Sequence, residues 1–159
     1  MNSLITWLIR LAGEIQHRLS WLPPIAARFA VGWVFLQSGW GKLHNLENVV
    51  EYFASLGIPA PGFQAPLVAW VEFLCGALLL AGLATRLASV PLIVVMVVAL
   101  NTALVDQISE WSDVLGLAEF GYIVLLLGLL ILGAGPLSLD QWLVRRWPAD
   151  EPLSQRPLS

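Results

Sequence analysis

Leu115–Ala134 reads LGLAEFGYIVLLLGLLILGA, a run of apolar residues in which Glu119 is the only charge. A helix rising 1.5 Å per residue over that length measures about 30 Å, the thickness of a bilayer's hydrocarbon core. Working outward, three further runs have the same character. Leu87–Val105 (LASVPLIVVMVVALNTALV) precedes it and Pro66–Ala84 (PLVAWVEFLCGALLLAGLA) precedes that. Ile25–Leu43 (IAARFAVGWVFLQSGWGKL), shorter and interrupted by polar residues, comes first. A lipid-exposed backbone must satisfy its own hydrogen bonds, and no ten-residue alternating pattern marks a barrel, so helices are the expected spans.

Composition agrees. The 159 residues are 58% hydrophobic and 12% charged, with mean hydropathy +0.77. Soluble domains carry about 25% charged residues, so half the usual charge is missing. A net charge of -3, a pI near 5.2 and one cysteine exclude a nucleic-acid binder, a disordered chain and a disulfide-stapled module. At about 20 residues per span, four spans with their short connections and flanking segments leave no room for an extramembrane domain. The expected fold is all-α: an integral membrane four-helix bundle, up-down-up-down, preceded by an N-terminal amphipathic interfacial helix. The bundle occupies 23–144, with spans about 25–43, 66–84, 87–105 and 115–134. Residues 1–22 carry Leu4, Leu8, Leu11, Ile15 and Leu19 at helical spacing, which suits a helix lying in the interface. Arg10 breaks the first apolar run and no small-residue cleavage motif follows, so a cleaved signal peptide is not expected. Residues 145–159, rich in Pro and polar groups, read as a disordered tail.

Arg10, Arg18, Arg28, Arg86, Arg145, Arg146 and Arg156 fall on one side of this topology and only Lys42 on the other. The positive-inside rule then places both termini in the cytoplasm of a bacterial-type inner membrane. Charges within spans are costly, so their depth is informative. Lys42 closes the first span at its outer end, and Glu72 lies about 9 Å below the outer end of the second. Asn101 and Glu119 lie four residues from the outer ends of the third and fourth. These groups, with Gln37 deeper and His44 at the mouth, converge on the outer half of the bundle. A protonatable carboxylate beside a cation and hydrogen-bond donors suits a quinone carbonyl and its protonation on reduction. Glu72, Lys42 and Glu119 are therefore the candidate catalytic residues, and Gln37, Trp40, His44, Trp70 and Asn101 the candidate quinone-binding set. An intramembrane ion pair can equally lock helix packing, and tryptophans near the boundary form the usual aromatic belt. Arg28, Arg86 and Gly76 are expected to be structural; Gly76 lies one turn from Glu72 and turns that face inward.

Cys75 is alone, which excludes a thiol relay within the chain, and no metal, haem, Fe–S or nucleotide motif is present. No intrinsic cofactor or metal is expected, which leaves a diffusible quinone or a partner's cofactor to carry electrons. The LGIPAPGF segment, Leu56–Phe63, contains two prolines and two glycines and is expected to cap the outer end as an irregular loop.

RFAVGWVFLQSGWGKL, the FASLGIP loop, VEFLCGALLLAGLATRLA and the closing GPLSLD together resemble the DoxX family of small four-helix membrane proteins. The pattern runs through Arg28, Gly39 and Lys42, Phe53, Gly57 and Pro59, Glu72 and Gly76, and Gly82, Thr85 and Arg86, over roughly Arg28 to Asp140. The resemblance implies a membrane subunit associated with redox complexes. The family's name comes from a thiosulfate:quinone oxidoreductase in which a DoxX-like chain accompanies a second subunit. Other relatives look like accessory factors of oxidative-stress, thiol or metal-handling systems, including genes beside those for metal-binding peptides. The expected function is a redox-system subunit that meets the quinone pool and works with an electron-donating partner subunit. A non-enzymatic assembly protein docking a partner is the alternative, and homo-oligomerisation is compatible with both.

Overall fold

The computed structural model describes residues 7, 10, 13, 14, 19–105, 108, 110–135 and 138–146. Most of the expected interfacial helix over 1–22, and all but the first two residues of the tail over 145–159, lie outside the described residues. Among the described residues all regular structure is helical, with no strand. The elements are α1 (Leu22–His44), α2 (Leu46–Ser55), α3 (Pro61–Ala81), α4 (Thr85–Asn101), α5 (Trp111–Gly116), α6 (Ala118–Leu132) and α7 (Leu139–Arg146). Of these, α3 is both long and apolar enough to cross a bilayer, and α4 and α6 are shorter apolar helices.

The helix ends follow from local chemistry. Prolines in the first turn start α1 and α3, where a missing N–H costs nothing. The structure therefore shortens the expected Leu56–Phe63 loop, because Pro61 already carries the φ a helix needs. The preceding LENVVEYFAS, which lies between the first two expected spans, is α2. Its Leu46, Val49, Val50 and Phe53 share one half-buried face, while Glu47 and Glu51 are exposed. Gly57, at φ +71, ends α2 with its N–H on the Ala54 carbonyl (3.0 Å) and the Ile58 N–H on that of Phe53 (3.1 Å). Gly82, at φ +66, ends α3 with the matching pair of bonds to Leu79 and Leu78. The expected fourth run is divided: Leu117 is extended, α5 precedes it, and the long helix begins at Ala118. Glu110 and Asp113 form a capping box at the start of α5.

The four longest helices pack in a closed order. α1 lies against α3 and α4 against α6, and the two pairs meet along α3–α4 and α1–α6. The α1–α3 approach depends on glycine. A Cβ at Gly39 would fall inside the Phe73 backbone, and one at Gly76 would come within 2.5 Å of the Leu36 nitrogen and 2.9 Å of the Gly32 carbonyl oxygen. The core, Val31, Phe35, Leu79, Leu92, Leu126 and Leu129 with Ala88 and Met96, fills the half of the bundle nearest the α3–α4 turn. The outside of the bundle is apolar as well, with Trp33, Leu74, Leu87, Val97, Ile131 and Leu132 all exposed. Apolar surface on both faces of its helices is what lipid, rather than water, would cover.

The turn end of the bundle is tied by charge. Buried Arg28 donates from Nη1 to the Ala134 carbonyl (2.9 Å), and Arg86 from Nη2 to that of Ile131 (3.1 Å). Arg86 closes a carbonyl left over in the last turn of α6, and Arg28 one just beyond the helix. Asp140 accepts the N–H groups of Ala84 (2.7 Å) and Thr85 (3.3 Å), and its own N–H donates to the Gly82 carbonyl (3.1 Å). Asp140 thereby caps α4 from a distance and holds Ala84 in its left-handed conformation, φ 49.

Candidate functional site

Ser38 and Lys42 are one helical turn apart on α1, so they share a face. The glycine-mediated approach of α1 to α3 brings that face onto Glu72. Lys42 Nζ lies 2.5 and 2.6 Å from the two Glu72 carboxylate oxygens, and the Ser38 hydroxyl donates to Oε2 at 2.9 Å. Glu72 is 1% exposed, whereas the Lys42 side chain keeps 28% of its surface. The carboxylate is thus fully engaged within the protein, and the ammonium is the member of the pair that faces free space.

That space is a cavity of about 820 Å³ between the two helix pairs, within the range of small-molecule sites. Its floor is Phe35, Met96 and Tyr122, whose ring meets Phe35 edge-on at 5.9 Å. Its walls are mostly aliphatic, from Val34 on α1, Val68 and Val71 on α3 and Val95 on α4. Over the end away from the α3–α4 turn lie Val49 and Phe53 of α2, with Leu56 and Ile58 just beyond it. Glu119, in the first turn of α6, faces the cavity half-buried and has no hydrogen-bond or ion-pair partner among the described residues. The polar equipment is therefore an ammonium held by a buried carboxylate on α1 and α3, with a second carboxylate and the Tyr122 phenol on α6.

Of the residues expected to converge here, Lys42, Glu72 and Glu119 line this cavity. Gln37, Trp40, His44, Trp70 and Asn101 do not. Helical period explains the division, since Gln37 is one residue, about 100°, round from Ser38 and is exposed. Trp70, two residues from Glu72, points to the opposite side of α3. Trp40, His44 and Trp70 instead form an outward strip with Phe73. Trp40 packs at a tilt against His44 at 4.2 Å and against Phe73 at 5.7 Å, and Trp70 meets Phe73 edge-on at 6.0 Å. Asn101 is exposed and donates back to the Val97 carbonyl of its own helix at 2.6 Å. Arg28 and Arg86 sit at the opposite end, closing α6, and Gly76 lies in the α1–α3 crossing. The sequence reading missed Ser38 and Tyr122, although the spacings Ser38 to Lys42 and Glu119 to Tyr122 place each on the face of a residue already singled out. Cys75 is a free thiol packed against the core. No group of three or more His, Cys, Asp or Glu that could hold a metal comes together among the described residues.

The DoxX family model matches residues 24–105, which contain Ser38, Lys42 and Glu72. Rv3486, a membrane protein of Mycobacterium tuberculosis, is 37% identical over 138 residues, covering 78% of this chain and 84% of its own length. CatD of Bacillus subtilis, named as a candidate oxidoreductase, is 30% identical over 120 residues, 74% of this chain and 84% of CatD. YqjF, an inner membrane protein of Escherichia coli, is 27% identical over 126 residues, 77% of this chain and 93% of YqjF. No solved structure matches the chain. With a family match from the start of α1 through α4, and membrane-protein relatives that it covers over most of their length, this chain belongs to the DoxX family and is a membrane protein.

Proposed function

We propose that α1, α3, α4 and α6 span a bacterial inner membrane up-down-up-down, with both chain ends cytoplasmic and the cavity in the outer half. In that frame the protein is a redox-system subunit whose cavity receives the ring of a quinone, and a partner subunit supplies the electrons. The observation that carries this reading is the Lys42 ammonium, fixed by a buried carboxylate and presented to an apolar cavity of ring-and-tail size. The ammonium has three N–H donors and Glu72 takes no more than two, so one remains for a ring carbonyl. Because the Glu72 charge offsets that of Lys42, a neutral ring is received without burying a net cation. Reduction of a quinone to a quinol takes two electrons, from the partner, and two protons. Glu119, without a partner among the described residues and opposite the pair, relays both protons in turn, each replaced from water at the Asn48 and Tyr52 side of the cavity. Glu72 then acts as a positioning residue for Lys42 rather than as an acid. The oxidoreductase name given to CatD points in the same direction.

The test is quinone binding to the purified protein in nanodiscs, followed by fluorescence quenching. Wild type is expected to bind and Lys42→Ala to bind at least tenfold more weakly, the loss of about 1.5 kcal/mol that a charge-assisted hydrogen bond supplies. No binding by wild type overturns the reading. The outward strip of Trp40, His44, Trp70 and Phe73 favours a second reading, a docking face for another subunit's helix. Under that reading Trp40→Ala and Trp70→Ala lose a co-purifying protein, while ligand binding is absent in every variant.

A further inference from the structure

The cavity is not closed evenly. At the α1–α6 seam the lining residues Val34, Ser38, Lys42, Glu119 and Tyr122 are all half-buried. At the α3–α4 seam Leu67, Val94 and Val98 also line the cavity, yet they are 49%, 56% and 45% exposed. The two helices are pinned together at one end, where Gly82–Ala84 turns the chain and Asp140 clamps the turn. Toward the outer end they are separated by the cavity, so the pair forms a wedge whose open side is apolar. In a membrane-spanning chain that side faces acyl chains.

Charge narrows what could fill it. An anionic head such as a carboxylate or phosphate would meet two carboxylates, Glu72 and Glu119, for one ammonium, and a cationic head would meet Lys42. An uncharged head with hydrogen-bonding oxygens satisfies both sides. We infer that the site is loaded sideways from the bilayer, through the α3–α4 seam, by an uncharged amphiphile. Its oxygen-bearing ring lies at Lys42 and its hydrocarbon tail across Leu67, Val94 and Val98. This rests on the reading of the cavity as a ligand site, and adds to it the route and the need for a tail. Asn48 and Tyr52, exposed on α2, mark the competing water-facing route.

The experiment uses the whole protein in nanodiscs and three probes: a benzoquinone with a ten-carbon alkyl tail, the same ring without a tail, and decanoate. Val98→Trp and, separately, Leu67→Trp fill the seam from its two helices. Each is expected to weaken the tailed probe about tenfold, the worth of roughly two methylene contacts, and to change the tail-less ring less than about twofold. Val90→Trp, exposed on α4 but outside the cavity wall, leaves both probes unchanged. Decanoate does not compete. If neither quinone binds wild type, the site reading itself fails. If both bind but the seam variants leave the tailed probe unchanged, or Tyr52→Trp alone blocks it, lateral loading is overturned and the site stands. Competition by decanoate as strong as that of the tailed ring overturns the uncharged class.

Discussion

Glu72 has both oxygens engaged by Lys42 and Ser38 and almost no exposure, so its removal strands a cation rather than a proton donor. Breaking a buried pair from one side costs about 3–5 kcal/mol, and the partial exposure of Lys42 puts this pair at the low end or below. Lys42→Ala or Glu72→Ala alone is expected to cost about 2–3 kcal/mol, and the double variant Lys42→Met with Glu72→Met less than either. Thermal melts in detergent check this; a double variant less stable than both singles would contradict it. Quinone binding should remain lost in the double variant, which separates the ligand role from the packing role. Ser38→Ala removes one hydrogen bond to a charged group, about 1–2 kcal/mol, and should weaken ring binding severalfold by loosening the carboxylate that holds Lys42.

Gly39 and Gly76 decide how close α1 and α3 come, and that distance decides whether Lys42 reaches Glu72 at all. A methyl at Gly39 meets backbone, which cannot yield as a flexible side chain can. Gly39→Ala is expected to cost about 1–3 kcal/mol, whereas Gly62→Ala, on α3 with open space around it, should be neutral or gain a few tenths. Melting temperatures of the two variants, side by side, read the difference. At the α3–α4 turn, Asp140→Ala removes the acceptor for the Ala84 and Thr85 N–H groups. A lost cap costs about 1–2 kcal/mol, and faster hydrogen exchange confined to the first turn of α4 is the expected signature. Unprotected α4 amides beyond that turn would mean the clamp holds more than a cap.

The basic residues, counted along the chain, predict one orientation for the whole molecule, and labelling tests it directly. In a Cys75→Ala background, Glu47→Cys on α2 should react with a membrane-impermeant maleimide in intact cells, and Leu139→Cys on α7 only after permeabilisation. The reverse pattern would place the cavity on the cytoplasmic side. The all-helical character was legible because apolar runs of bilayer length have few other fates, and the family motifs could be followed from Arg28 to Asp140. Lys42, Glu72 and Glu119 could be picked out because charges are rare in such runs. Their partition was not legible. One run contains a break at Leu117, and the stretch between the first two spans holds a helix, α2, because weakly polar segments at span ends give no clear hydropathy signal. Depth along each span was readable, but depth is one coordinate of three. Sequence by itself therefore determined helices, lipid surroundings and the few costly charges, since each depends on local composition. Only the tertiary structure decided that Ser38 and Lys42 share Glu72, that Glu119 stands apart from the pair, and that Gln37, Trp40, His44, Trp70 and Asn101 lie off the cavity wall. Those outcomes depend on how each helix is rotated about its axis, and that rotation is fixed by close contacts such as Gly39 and Gly76 across the α1–α3 crossing.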